Sequence, residues 1–247
     1  MFDLHNHILP GIDDGSRDMA ESLELLRLAA EQGISHMLAT PHINPGRYDN
    51  SAEGIHQVLT QLQQAAREQK IAVRIAAAAE VRISSELLSL VEQGNLPFIG
   101  QYQAQNVVLL ELPHSHIPPG SDKLLAWLAR KNISVMLAHP ERNRDLLAEP
   151  ERIKPFINAG CLFQLTAGAL EGDMGPDVMT LARHWLKQGL YHIIASDTHS
   201  VKRRPPKLKL AYQYVEQTLG EEQAQQLCVR NPAELSAPVF ERGMLLR

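Results

Sequence analysis

Short apolar runs alternating with stretches of helical periodicity predict an α/β fold built on a parallel sheet, and two observations carry that expectation. Seven candidate strands are each followed by a helix-like stretch, through loops short enough for βα units. The strands are also brief and apolar throughout, as strands covered on both faces are, which favours closure of the sheet into a barrel. At 247 residues the chain exceeds the usual domain size, yet one-domain α/β barrels commonly reach this length. Residues 1–247 are therefore expected to form one domain.

Phe2 to Leu4 reads as the first strand, entered almost at the initiator methionine. Asp18-x-x-Glu21 resembles a capping box, Met19, Leu23, Leu26 and Ala30 recur at helical spacing, and Gly33 supplies the stop. Ile34 to Ala39 is the second strand and runs into Thr40-Pro41-His42; a helix fits Ala52 to Gln69. Ile71 to Ala79 is a strand of small residues ending at Glu80, followed by a short helix from Ser84 to Gln93. Val107 to Leu110 is a strand ending at Glu111, and the proline-rich loop 112–120 leads to a helix from Asp122 to Lys131. Ile133 to Ala138 ends at His139; a helix over Glu151 to Asn158 and a strand over Cys161 to Leu165 follow. Pro176 suits the first turn of a helix that runs to Lys187 and stops at Gly189. His192 to Ala195 is the last strand, Pro206 to Leu219 the last helix, and the remaining residues read as a closing segment without chemistry.

Composition narrows the function. With 44% hydrophobic and 21% charged residues the chain has ample material for a core. A net charge of −4 argues against a general nucleic-acid binder, though it leaves room for a local cationic pocket. No apolar run approaches the ~20 residues of a membrane span. A cleaved signal peptide would remove the histidines that begin at residue 5, so a cytoplasmic protein is expected. Cys161 and Cys228 are far apart and form no Cys-x-x-Cys, which argues against a disulfide framework or zinc ribbon.

The strand ends carry the chemistry. A lone His5-x-His7 is weak evidence of a metal site, but the second strand ends at His42, the third at Glu80, the fourth at Glu111, the fifth at His139, and the seventh at Asp197 and His199. Only the sixth offers no such group. In a parallel barrel these ends open on one face, where sites are built. Asp14, in the loop after the first strand, is a further candidate, whereas Asp13 reads as a turn residue. This inventory is too large for one ion, since a catalytic zinc takes about three protein ligands, so two or three metals sharing a bridging carboxylate are expected. Imidazole mixed with carboxylate and no thiolate favours Mn, with Fe, Zn, Mg or Co also possible. Such a cluster lowers the pKa of a bridging water and suits hydrolysis of a phosphate ester.

His5-x-His7, Leu9-Pro10-Gly11-Ile12-Asp13-Asp14-Gly15, Ala39-Thr40-Pro41-His42, Glu80, His139-Pro140-Glu141-Arg142 and Ser196-Asp197-Thr198-His199 together resemble the polymerase and histidinol phosphatase (PHP) superfamily. More narrowly, they resemble its bacterial protein-tyrosine phosphatases of capsule and exopolysaccharide systems. The resemblance covers nearly the whole chain and implies a distorted seven-stranded (β/α)7 TIM-like barrel with a trinuclear site. It implies one metal on His5, His7, Glu80 and Asp197, a second on Glu80, Glu111 and His139, and a third on Asp14, His42 and His199. It further implies two phosphate-binding arginines, Arg142 and Arg204, with Arg203 competing for the second place. The implied reaction is hydrolysis of phosphotyrosine by metal-activated hydroxide, without a phosphocysteine, on the tyrosine-rich tail of a bacterial tyrosine kinase. A phosphatase acting on histidinol phosphate or another small phosphomonoester is the alternative.

A thiol phosphatase needs Cys-x5-Arg, but Ala167 and Glu234 stand where the arginine would follow Cys161 and Cys228. His114-x-His116 repeats the opening spacing inside the proline-rich loop and reads as rim rather than ligand. His36 and His192 read as structural, and His56 and His184 as outward-facing helix residues. Arg47 and Tyr48, after His42, can shape a substrate pocket or simply pack the loop.

Overall fold

The computed structural model of the protein describes residues 1–242 and the backbone of residues 245–246. The first half consists of β1 (Phe2–Asn6), α1 (Met19–Glu31), β2 (His36–Ala39), β3 (His42–Ile43), α2 (Ala52–Glu68), β4 (Arg74–Ala77), β5 (Glu80–Arg82), α3 (Glu86–Glu92), β6 (Pro97–Phe98), β7 (Gly100–Tyr102) and β8 (Gln105–Glu111). The second half continues with α4 (Ser121–Arg130), β9 (Ile133–Ala138), α5 (Arg144–Ala148), α6 (Lys154–Asn158), β10 (Leu162–Thr166), α7 (Ala167–Leu170), α8 (Pro176–Lys187), β11 (Ile193–Ala195), α9 (Leu208–Leu219), α10 (Glu221–Gln225), α11 (Asn231–Arg242) and β12 (Leu245–Leu246). This is an α/β chain with parallel strands, as expected.

The strands fall into ladders rather than one uninterrupted sheet. β1, β2 and β4 make a three-stranded parallel sheet, while β11, β10, β9, β8, β5 and β3 follow one another in a larger one, with β7 antiparallel on β8. The division arises because the chain resumes as a short strand, β3 or β5, just beyond the end of the second and of the third expected strand. Pro41 has no N–H to donate and interrupts the run between β2 and β3; the partner strand breaks alongside it at Ala78 and Ala79, between β4 and β5. Bonds from Ala78 N to Ala39 O (2.8 Å) and from Glu80 N to Pro41 O (3.1 Å) hold the two interrupted strands together across the break. At the other end of the molecule's sheet order, Asp197 N donates to His5 O and His7 N to Thr198 O, both at 2.8 Å, so the end of β1 lies beside the segment that follows β11.

Helix signals operate locally. The Asp18 carboxylate caps α1 by accepting from Glu21 N (2.9 Å), and Ser51 caps α2 by accepting from Gly54 N (3.1 Å). The helix expected over 151–158 is instead a 3₁₀ turn, Pro150–Ile153, followed by α6, because Pro155 can sit only in the first turn of a helix. The segment after Leu219 is richer than expected. α10, a π-helical turn (Gln226–Arg230) and α11 pack under the strands so closely that a Cβ on Gly100 would stand 1.8 Å from Leu235 O. The core is continuous from Leu4 and Ile8 through Phe163 to Val239. Among the described residues no helix is long and apolar enough to cross a membrane.

Candidate metal centre

Parallel strands start together and end together, so their C-terminal residues share one face. His5 lies in β1 and His7 just past it; His42 opens β3, Glu80 opens β5, Glu111 closes β8, His139 follows β9, and Asp197 and His199 follow β11. His139 (φ 31°) and Asp197 (φ 51°) both adopt left-handed backbone, which costs a residue with a side chain roughly 1 kcal/mol and is held here by the surrounding contacts. That conformation turns the chain at the strand end and aims both side chains inward.

The donor atoms converge. His5 Nε2 lies 3.3 Å from Glu80 Oε2 and 3.5 Å from Asp197 Oδ1; His7 Nε2 lies 3.4 Å from each of the same two oxygens, and 3.4 Å from His5 Nε2. These spacings are long for charged hydrogen bonds. They match instead the donor-to-donor edge, roughly 3.4 Å, of a tetrahedral shell with bonds of about 2.1 Å. His42 Nε2 and His199 Nε2 stand 3.3 and 3.5 Å from Asp14 Oδ1 in a second gathering, to which His7 also contributes. His42 Nδ1, Glu80 and Glu111 make a third. His42 Nδ1 and Glu80 Oε2 are 2.9 Å apart but misaligned, and both are buried without a hydrogen-bond partner. A buried acceptor left this way marks a place for a cation. The donor set therefore fits divalent metal. It divides differently from the sets the resemblance implies: His7 and His42 are each shared between gatherings, and His139 Nε2 is bonded to Glu80 Oε1 at 2.9 Å.

Outer groups hold the rings in place. Asp13, expected only to make a turn, does that by accepting from Gly15 N (2.9 Å), but its Oδ2 also meets His7 Nδ1 at 2.7 Å and accepts from His42 N at 3.1 Å. Gly15 is obligatory there, since a Cβ would fall 2.1 Å from His7 O. The sixth strand expected from the sequence is not silent: Gln164, buried in β10, presents its Oε1 to His5 Nδ1 (2.9 Å) and to His139 N (3.2 Å). An acceptor on Nδ1 fixes the tautomer that leaves Nε2 free to ligate. No pattern of acids and imidazoles could have singled out Gln164; only its inward place on a strand between two strands that lead to candidate ligands does.

Asp197 serves two sides. Oδ1 faces the imidazoles, while Oδ2 accepts from Arg142 Nη1 (2.5 Å) and Arg204 Nη1 (3.0 Å). Arg203 lies outside the pocket that Arg204 lines. Arg82, not singled out in the sequence, enters the same pocket on an ion pair with Glu111 (2.7 Å). The pocket measures about 200 Å³ and also takes Asn44, Arg47, Tyr48 and His114 into its wall. Tyr48 stacks on His42 (centroids 5.4 Å, 10° between planes), and His114 on His139 (5.9 Å, 19°).

Charge follows from burial and neighbours. Burial alone would raise the Glu80 carboxyl, but His5 and His42 overcome it and hold Glu80 well below the usual carboxylate range. Asp197 is likewise held down against burial, by His5, His199 and Arg142. Burial and then Arg142 push His139 down to about 3, leaving it neutral, as a ligand must be. The remaining histidines stand apart: His116 is exposed beside Ser115, His36 stacks on Phe2, His192 accepts from Phe163 N, and His56 and His184 face outward. Both cysteines are buried, and burial pushes each thiol up to about 12.

Comparison with known proteins agrees with this geometry. Residues 1–236 match the family model for capsular polysaccharide synthesis, CpsB/CapC. The tyrosine-protein phosphatase YwqE of Bacillus subtilis is 32% identical over 222 residues, which cover 90% of this chain and 86% of that protein. The tyrosine-protein phosphatase CpsB of Streptococcus pneumoniae is 27% identical over 241 residues, covering 95% and 98%. A crystal structure from work on YwqE and CpsB, described as unique metal-dependent tyrosine phosphatases, superposes with a TM-score of 0.85 at 30% identity and covers 100% of this chain and 97% of its own.

Proposed function

The chain belongs to the CpsB/CapC family of capsular polysaccharide synthesis, and from that premise we propose that it is a metal-dependent protein-tyrosine phosphatase. The observation that carries this reading is the gathering of His5, His7, Glu80 and Asp197 donor atoms at coordination-shell spacing, directly beside two arginines that share Asp197. We assign His5, His7, Asp14, His42, Glu80, Glu111, His139, Asp197 and His199 to three divalent ions, Mn before Fe, Zn, Mg or Co. Bound there, the ions supply Lewis acidity and a water of lowered pKa.

The chain's own residues do the rest. Arg142 and Arg204 bind the phosphate dianion, offset the charge that builds up on it and orient it toward the buried carboxylates. Asp197 keeps both guanidiniums in place before substrate arrives. Gln164 and Asp13 hold His5 and His7 in the ligating tautomer. The tyrosine oxygen, with a pKa of about 10, leaves more readily than a serine alkoxide. The two cysteines form no bond with phosphorus, since both thiols stay protonated and buried.

We read residues 1–247 as one domain, a distorted seven-stranded barrel, a view supported by the hydrogen bonds that join β1 to the segment after β11. The substrate we assign is a phosphotyrosine protein in the cytoplasm, the tyrosine-rich tail of a bacterial tyrosine kinase. The comparisons do not favour the histidinol phosphate alternative. Enzyme stripped with chelator is expected to lose turnover of a phosphotyrosine peptide and to regain it best with Mn. Full turnover without metal, or tenfold faster hydrolysis of histidinol phosphate, about 1.4 kcal/mol in transition-state binding, overturns the assignment.

A further inference from the structure

The arginines of the pocket differ in what they already hold. Arg142 and Arg204 are paired with Asp197, and Arg82 with Glu111. Arg47 lines the same pocket, is exposed, and among the described residues has no carboxylate in ion-pair range. Asp49, an acid on its own loop, accepts from Gly46 N (2.7 Å), and Asp14, which also lines the pocket, lies 3.3 and 3.5 Å from His42 and His199. Arg47 is also displaced outward in layers. Its guanidinium lies 5.1 Å from the Tyr48 ring centroid, and Tyr48 in turn stacks on His42 at 5.4 Å. An antiparallel bridge between Asn44 and Tyr48, and bonds from Asn50 Nδ2 to His42 O and Ile12 O (both 2.9 Å), fix that loop to the site. Lys202 and Arg203, by contrast, lie outside the pocket lining, on the exposed tip of a hairpin closed by the bridge between Ser200 and Arg204.

Resting on the phosphatase reading, we propose that Arg47 selects phosphotyrosine whose flanking residues carry negative charge. A phosphate held between Arg142 and Arg204 is two ring layers inside Arg47. The phenol ring of the substrate spans that depth, so Arg47 meets the chain on either side of the tyrosine. An unpaired guanidinium at this rim, in a protein of net charge −4, is a recognition device for carboxylates or a second phosphate ester.

The test measures kcat and KM for wild type, Arg47→Ala, Arg47→Lys and Arg47→Glu. The substrates are a small aryl phosphate and phosphotyrosine peptides flanked by Glu, by a second phosphotyrosine, by Ala or by Lys. Arg47→Ala is expected to raise KM about fivefold on the Glu-flanked peptide, the size of one exposed charge pair, with kcat and the small aryl phosphate unchanged. Arg47→Lys should retain most of the preference, and Arg47→Glu should transfer it to the Lys-flanked peptide. Preference for the doubly phosphorylated peptide over the Glu-flanked one identifies phosphate as the flanking anion; the reverse identifies carboxylate. Equal losses on the small aryl phosphate place Arg47 in the phosphate site and overturn the inference. Equal KM for all flanks in wild type also overturns it, while leaving the phosphatase reading intact. Failure of wild type on every aryl phosphate removes that reading and the inference with it.

Discussion

The chain contains two His-x-His pairs, and they meet opposite fates. His5-x-His7 leaves β1 fully buried, with Glu80 and Asp197 3.3 to 3.5 Å from both rings. His114-x-His116 lies in the loop after β8, where His116 is exposed and His114 reaches the pocket only as a ring stacked on His139. His114 Nε2 stays 3.9 Å from Glu111, on a side chain that is half exposed. Two imidazoles at one spacing become a candidate metal site only where a strand end buries them against carboxylates and gives each ring an inward-set partner. A loop of prolines offers neither.

The largest effect that could break this contrast is the loss of one inner ligand. His7→Ala or Asp197→Asn should lower kcat on a phosphotyrosine peptide by roughly a thousandfold, about 4 kcal/mol of barrier, while circular dichroism shows a folded chain. Retained turnover in His7→Ala would erase the distinction between the pairs. Next in size is the outer partner. Gln164→Leu leaves His5 Nδ1 without its acceptor and should weaken metal affinity by roughly 10- to 100-fold, read by titration of apoprotein with Mn; unchanged affinity means that ring orientation is set elsewhere. His114→Ala should raise KM only a few-fold, in keeping with one aromatic contact of about 0.5–1.5 kcal/mol, and His116→Ala should leave both constants alone. A thousandfold loss in either would make the second pair a ligand pair after all. The smallest effect is expected at the cysteines. Thiols with pKa pushed up to about 12 are almost wholly protonated at pH 8, so alkylation of folded protein should be slow and Cys161→Ala with Cys228→Ala should keep kcat within about twofold. A hundredfold fall in kcat of the folded double variant would point to thiol chemistry.

Sequence by itself determined the alternation of strands and helices and placed acids and imidazoles at strand ends, because apolar periodicity, caps and glycine stops act over a few residues. Asp18, Ser51 and Pro176 do locally what their residue types favour. The break at Ala78–Ala79, the packing of α11 against Gly100, and the roles of Gln164, of Arg82 and of Asp13 toward His42 were decided by tertiary structure alone. Each depends on a partner far away in the chain, such as Gln164 on His5 across 159 residues, and an amide, a guanidinium or a turn aspartate looks the same in sequence whether or not that partner arrives. Left-handed backbone at His139 and Asp197 is of the same kind: neither residue type demands it, and only the converging site holds it there.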